Sequence, residues 1–275
     1  MNNNFTFSKK WIDSIYYRYD INRIIKNDNF YFYNSENGIL KCQNYFDFNL
    51  NNELLDKLSN CKKIKFSYLD NENTLNIIKE WCKKNKYKFD IEDKWEAPVL
   101  KLDISLEEYI KNSNSKQLKR NYMLYKNNIK EYEIKISNNL NIVELWKDVL
   151  LIDNDSWKKD ELSDMKSLDR EDLQYFPYMI NNQDNVSLLV LYKDSIPLAY
   201  SLMFKAKDEW FQAKWGTSNE GRLEYCGFKV LFSHIEYLYK NDQFLLLDFW
   251  GRINDTYDRL RNNFKYRYHI LISKE

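Results

Sequence analysis

The sequence is short of the residues on which many active sites depend. Its 275 residues include only 5 Gly, 3 Pro, 4 Cys and 2 His. Two histidines argue against a poly-histidine catalytic metal centre, and no metal is expected. Cys42, Cys61, Cys82 and Cys226 are widely spaced with no C-x-x-C pair, which fits reduced thiols rather than a disulfide framework or a zinc site. Charge of one sign is missing as well: 42 Lys+Arg face 41 Asp+Glu, a net charge of +1. That balance gives no global reason to coat nucleic acid. No apolar run of about 18 residues occurs, so no membrane insertion is expected. The start, Met1-Asn2-Asn3-Asn4-Phe5, lacks the basic and apolar regions of a secretory signal, and a cytoplasmic location is expected.

Aromatic residues are abundant, at 16 Phe, 22 Tyr and 8 Trp. This supply of buriable surface argues for a folded chain despite the low mean hydropathy. Strand-like and helix-like patterns alternate along the whole length, which predicts a mixed α/β fold. In the first part, a helix near Ser8, strands over Phe30–Tyr33 and Ile39–Cys42, and a helix over Glu53–Leu58 are expected. They are followed by a strand Ile64–Leu69, a helix Asn73–Lys84, and strands Tyr87–Ile91 and Ala97–Leu102. Ser105-Leu106-Glu107-Glu108 has the form of a capping box. Ser115–Lys130 is helical by its Leu118, Tyr122, Tyr125, Ile129 face, and six basic and no acidic residues lie between Lys111 and Lys130. A helix over Asn141–Trp157 precedes an acid-rich loop.

The last ninety residues are read as strands Ser187–Tyr192, Ile196–Lys205 and Glu209–Trp215, with a turn at Lys193-Asp194-Ser195. A glycine-punctuated loop from Gly216 to Gly227 leads into a helix with Phe228, Leu231, Ile235 and Leu238 inward. Phe244–Phe249 is apolar on both faces and should be a central strand. A short helix Asp255–Asn262 and a strand Tyr266–Ser273 follow. Gly216, Gly221, Gly227 and Gly251 crowd one 36-residue stretch, leaving Gly38 alone. A loop feeding a helix start near Gly227, with Arg222 and Lys229 beside it, is a place where free N–H groups can hold an anion. No Walker or G-x-G-x-x-G motif is present, so a loop without a ligand is the competing reading.

From about Trp95 to Phe264 the chain resembles the GNAT acyltransferases, in the branch that holds CelD-like acetyltransferases and FemAB-like enzymes. The resemblance rests on Pro98-Val99-Leu100-Lys101-Leu102, the Ser105 helix, and the basic segment Ser115-Lys116-Gln117-Leu118-Lys119-Arg120-Asn121. It continues through Asp155-Ser156-Trp157-Lys158, Pro197-Leu198-Ala199-Tyr200, Gly227 and its helix, Asp248-Phe249-Trp250-Gly251 and Tyr257. It implies a complete GNAT domain over 96–275, preceded over 1–95 by a degenerate GNAT-like half. It further implies an acyl-CoA-dependent N-acyltransferase, with acetyl-CoA as the first choice of co-substrate and a small amine, such as an amino sugar, as acceptor.

In that picture the acyl thioester enters between the splayed strands Glu209–Trp215 and Phe244–Phe249. The CoA would be held by Lys214, Trp215, Gly216, Arg222, Cys226, Gly227, Phe228 and Lys229. Asp248 would take the amine proton and Tyr257 would protonate the leaving group. Arg120, Trp157, Phe249, Trp250 and His269 would line the acceptor side. The sequence departs from the family at Cys226-Gly227, where Pro-Gly is common, and at Asp258, where Lys is common.

Each of these residues also has a structural alternative. Asp248 could pair with Arg252 or Arg267, Tyr257 and the Trp residues could be packing, Cys226 a buried thiol rather than a nucleophile, and the basic run a solvated face. Two further functions stay open. One is a FemAB-like aminoacyl-tRNA-dependent transferase, the single setting in which nucleic acid would be a partner. The other is a non-catalytic GNAT-like binding module. A homodimer also stays open.

Overall fold

The structure, a computed structural model, describes residues 24–27, 30–34, 40–43, 55–56, 58–59, 61–70, 72–137, 141–156, 179–180, 183–206, 208–243, 245–249 and 254–274. The helix expected near Ser8, and Trp157, Trp250, Gly251 and Arg252, lie outside them. The chain divides into two compact units, residues 1–97 with 265–275, and residues 98–264.

The first unit holds strands β1 (Ile24–Asn27), β2 (Phe30–Asn34), β3 (Leu40–Gln43) and β4 (Lys63–Leu69), and helix α1 (Glu72–Asn85). It also takes most of β5 (Tyr87–Leu102) and β11 (Asn263–Lys274). Its strand order is β1-β2-β3-β4-β11-β5. Ile78, Trp81 and Cys82 of α1 pack on Ile64, Phe66, Ile270 and Ile272. Where two strands were expected between Tyr87 and Leu102, one 16-residue strand runs through. The polar stretch Glu92–Glu96 looks like a break because strand pattern is read from apolar alternation. Ladder pairing needs only the backbone, so a polar stretch of strand can continue it.

The second unit is built around β10 (Leu245–Asp248), β9 (Glu209–Thr217), β8 (Ile196–Ala206), β7 (Val186–Lys193) and β6 (Glu133–Ile136). β10 pairs antiparallel with Val99–Leu102 of β5 and parallel with β9, so it is central, as its apolar run predicts. β9, β8, β7 and β6 continue antiparallel. Two long helices cover the sheet. Register and contacts assign them to opposite faces: α4 (Ile142–Asn154) lies with Tyr200, whose hydroxyl donates to its Asp153, and α6 (Cys226–Asp242) lies with Ser201 and Leu189.

Helices α2 (Leu106–Asn112) and α3 (Lys116–Asn128) pack beside α6. Ser105 caps α2 as expected, accepting from Glu108 N–H at 3.1 Å, and Ser115 caps α3, accepting from Leu118 N–H at 3.2 Å. Leu118, Tyr122 and Tyr125 of α3 join Phe232 and Leu231 of α6 in the core. The Tyr122 and Tyr125 hydroxyls donate to the two oxygens of Glu236 on α6, at 2.6 and 2.7 Å. Helix α7 (Asp255–Leu260) is capped by Asn254, whose side chain accepts from Thr256 and Tyr257 N–H. Between β9 and α6, where a loop was expected, a short helix α5 (Asn219–Leu223) forms, capped by Ser218 through Gly221 N–H.

Candidate functional site

The parallel pairing between the two strands expected to splay is short. The last parallel pairs between β10 and β9 are Leu247 with Trp210 and Asp248 with Phe211. Beyond them β9 runs on to Thr217, paired with β8 alone among the described strands, while Phe249 N–H donates to Pro98. A register shift against β8, between Leu202–Lys214 and Met203–Gln212, leaves Ala213 as the extra residue of a bulge. Bulges bend a strand, and this one lies just past the last β9 residue that pairs with β10.

Asp248 is the last residue of β10 and its last pair with β9, and it is 0% exposed. A polar interaction within the fold engages it. Tyr257, 6% exposed, stacks on Phe249 with ring centroids 4.5 Å apart and lies 6.1 Å from the Trp215 ring. Burial holds its phenol well above the ordinary tyrosine range, against the smaller opposite pull of a hydrogen bond from Trp215. Trp215 in turn covers the start of α6, because a Cβ on Gly227 would lie 3.0 Å from Trp215 Cζ3. The structure thus brings together Trp215, Gly227, Phe249 and Tyr257 on the α6 side of the sheet.

Lys214 and Gly216 belong to the other side. Lys214 Nζ pairs with the buried Asp153 carboxylate at 2.7 Å, and Tyr200 donates to the same carboxylate at 2.8 Å. A Cβ on Gly216 would meet Tyr200 Cε1 at 2.7 Å and Asp153 Oδ1 at 3.0 Å. The glycine is therefore required by this buried network. Gly221 has a similar explanation, since its Cβ would fall 2.2 Å from the Leu198 carbonyl oxygen. The clustering of glycine in this stretch reflects close packing at these positions.

The anion cradle expected near Gly227 is smaller than the sequence suggests. Arg222, Glu224 and Tyr225 N–H donate to the carbonyls of Ser218, Glu220 and Arg222, so helix α5 consumes groups that a pyrophosphate would need. Tyr225, at φ 56°, precedes α6 without a side-chain cap. The first-turn N–H groups of Cys226, Gly227 and Phe228 are the ones left. Lys229 turns inward: its Nζ donates to Tyr132 Oη at 2.6 Å, and Tyr132 also bonds Glu224, which pairs with Lys193 at 2.6 Å. The Lys193 ammonium first, then Tyr132, holds the Glu224 carboxyl below its usual range. Cys226 is buried beside this group, and desolvation pushes its thiol up to about 11, away from the thiolate form that a nucleophile needs.

A pocket of about 240 Å³ lies between α3 and the start of α6. It joins residues read as belonging to opposite substrates: Arg120 from the acceptor side, Phe228 and Lys229 from the donor side, with Gln117, Tyr125 and Tyr225. Arg120 is exposed and makes no ion pair with a described residue. His269 belongs to the first unit, where its ring packs 4.8 Å from Trp95. Arg222 is exposed on α5. The sequence reading gave no role to the side chains of Asp153, Tyr200, Tyr132 and Glu224, which scatter over four segments and acquire meaning only through register. Among the described residues no group of three or more His, Cys, Asp or Glu could hold a metal ion, and no helix is long and apolar enough to cross a membrane.

No protein-family model matches the sequence, and no curated protein matches it. Among solved structures the chain is similar to FemX, with TM-score 0.65 and 10% identity over 98% of this chain and 92% of that one. It is similar to L-PGS from Bacillus licheniformis, with TM-score 0.60 and 10% identity over 97% and 91%. A conserved protein of unknown function from Bacteroides thetaiotaomicron gives TM-score 0.61 and 11% identity over 99% and 92%. At these identities the likeness is one of fold. The mixed α/β, GNAT-like fold expected from the sequence is the fold observed, in its FemX-type form.

Proposed function

We propose that this chain is an acyltransferase that moves an acyl group from an activated ester onto an amine, and that its donor is an aminoacyl-tRNA-like ester. The likeness to FemX and L-PGS supports the transfer chemistry by analogy of fold. The observation that carries the choice of donor is the N–H accounting before α6: helix α5 occupies the Arg222, Glu224 and Tyr225 N–H groups, so only the first turn of α6 is left for a CoA pyrophosphate.

One further feature agrees with it. Lys116, Lys119 and Arg120 are exposed on α3 with no acidic residue in that helix, a local basic face suited to a polyphosphate chain despite the neutral total.

The steps are then as follows. The donor's carbonyl lies in the split between β9 and β10, and the amine nitrogen attacks its carbon, forming C–N while the carbonyl electrons move to oxygen. Backbone N–H groups of β9 beyond Phe211, past its last pair with β10, stabilise that oxyanion. Asp248 accepts the amine proton. The tetrahedral intermediate collapses, the C–O bond breaks, and the departing oxygen takes the Tyr257 proton. Both groups are reset by proton exchange with solvent.

Acyl-CoA remains the second reading, favoured by the first-turn N–H groups of Cys226–Phe228 next to the Arg120 pocket. Fluorescence anisotropy with bulk aminoacyl-tRNA at 50 and 200 mM salt, beside thermal shift with CoA, separates the two. Salt-steep RNA binding with no shift at millimolar CoA is expected. A CoA shift without RNA binding overturns the choice of donor.

A further inference from the structure

Gln212 is the first residue of β9 beyond its last pair with β10 and stands next to the Ala213 bulge. Its side chain is buried, at 4% exposure, yet neither Nε2 nor Oε1 has a hydrogen-bond partner among the described residues. An amide carries two donor and two acceptor positions, and leaving them unmade in a dry interior costs about 1–3 kcal/mol. Native structures rarely tolerate such a group without a use for it.

The surroundings offer no partner. Gln212 pairs across the sheet with Met203, and Met203 with Ser187, which puts all three on the α6 face. Met203 and Trp210 belong to the apolar cluster that also holds Phe249 and Tyr257. The histidine on that face is already committed: His234 is bonded through Nδ1 to Ser201 at 2.9 Å and through Nε2 to Ser187 at 2.8 Å. The orphan amide therefore lies on the same face as these apolar side chains, one residue along β9 from Phe211, the partner of Asp248 and the last β9 residue paired with β10.

We infer that Gln212 is a specificity-determining residue that hydrogen-bonds a polar substituent on the transferred acyl group, so that the enzyme selects an α-amino or α-hydroxy acyl group over a plain alkyl one. This rests on the acyltransfer reading, in which the acyl end of the donor lies deepest in the split, but not on the choice between RNA and CoA as carrier. A site that pairs a buried amide with a substrate polar group discriminates against the analogue lacking it, because that analogue leaves the amide unpaired.

The test compares alanyl and propionyl groups, which differ by one amino group, on each carrier: 3′-O-acyl adenosine esters and acyl-CoA, with a primary amine as acceptor. Wild type should prefer alanyl by at least about tenfold in kcat/KM. Gln212→Met, which keeps the volume and removes the amide, should bring the ratio to about one. The same variant should melt about 2–4 °C higher, because it removes an unsatisfied buried group. An unchanged ratio with a lower Tm makes the amide structural and overturns the inference while leaving acyltransfer intact. Equal rates for alanyl and propionyl in wild type overturn it as well. Failure of wild type to turn over any of the four donors overturns the acyltransfer reading and this inference with it. Should Gln212→Met fail to fold, Gln212→Leu carries the same comparison, since it removes both the amide donors and the acceptor.

Discussion

At the scale of single residues, several positions have their identity fixed by contacts a few ångströms long. Gly221 is the most constrained of the described glycines, because the atom its Cβ would meet is a backbone oxygen at 2.2 Å. Gly216 would meet the Tyr200 ring at 2.7 Å, and a ring can tilt where a strand carbonyl cannot. Gly221→Ala is therefore expected to lower stability by about 3 kcal/mol or more and Gly216→Ala by about 1–3 kcal/mol, an order that chemical denaturation would check. Tyr257→Phe keeps the stack on Phe249 and removes only the hydroxyl. Transfer should fall by about 10²-fold or more with Tm nearly unchanged. Loss of Tm with retained transfer would return Tyr257 to the role of packing. Asp153 shows why some site neighbours were not readable. It sits in a stretch that looks like the start of an acidic surface loop, yet it is buried between Lys214 and Tyr200. Sequence pattern assigns acids to solvent, and only the register of β8 and β9 reveals that two donors meet this one.

At the scale of elements, the two short features between β9 and α6 decide what the site can hold. Helix α5 hides in the sequence because Gly221 lies within it, and glycine signals a loop by its conformational freedom. Here it is present for lack of a side chain, and Ser218 supplies the start signal that the glycine masks. Long periodic elements such as α3 and α6 were legible because their inward faces repeat. The bulge at Ala213 and the edge strand β6 were not, since both depend on a partner strand. The basic face of α3 yields a prediction at this scale. Lys116→Glu with Lys119→Glu should weaken RNA binding about uniformly across sequences and flatten its salt dependence, by a slope of about 1 per contact removed. The double variant should fold normally, because both side chains are exposed and Ser115 still caps the helix. Unchanged RNA affinity would leave α3 a solvated face.

For the whole molecule, pH dependence follows from His234. Complete burial between Ser187 and Ser201 lowers its pKa to about 3 by desolvation, so it is neutral in the folded protein. The unfolded chain takes up a proton near pH 6.5 that the folded one refuses, so stability falls as pH drops below 6.5. The slope approaches about 1.4 kcal/mol per pH unit before carboxylates join below pH 5. His234→Gln should start less stable and lose that slope between pH 6.5 and 5 in thermal melts. An equal slope in the variant would assign it elsewhere.

The division of the chain has a consequence in time. Residues 98–264 form one contiguous stretch, whereas the first unit owns both 1–97 and 265–275. In its sheet β11 lies between β4 and β5, with Ile270 and Ile272 opposite Phe66 and Ile64. During synthesis the second unit has all its residues once 264 has emerged, while the first must wait for the strand that fills the gap in its own sheet. The part made first is completed last. Until then β4 offers the growing chain, and any neighbour on the ribosome, an open edge.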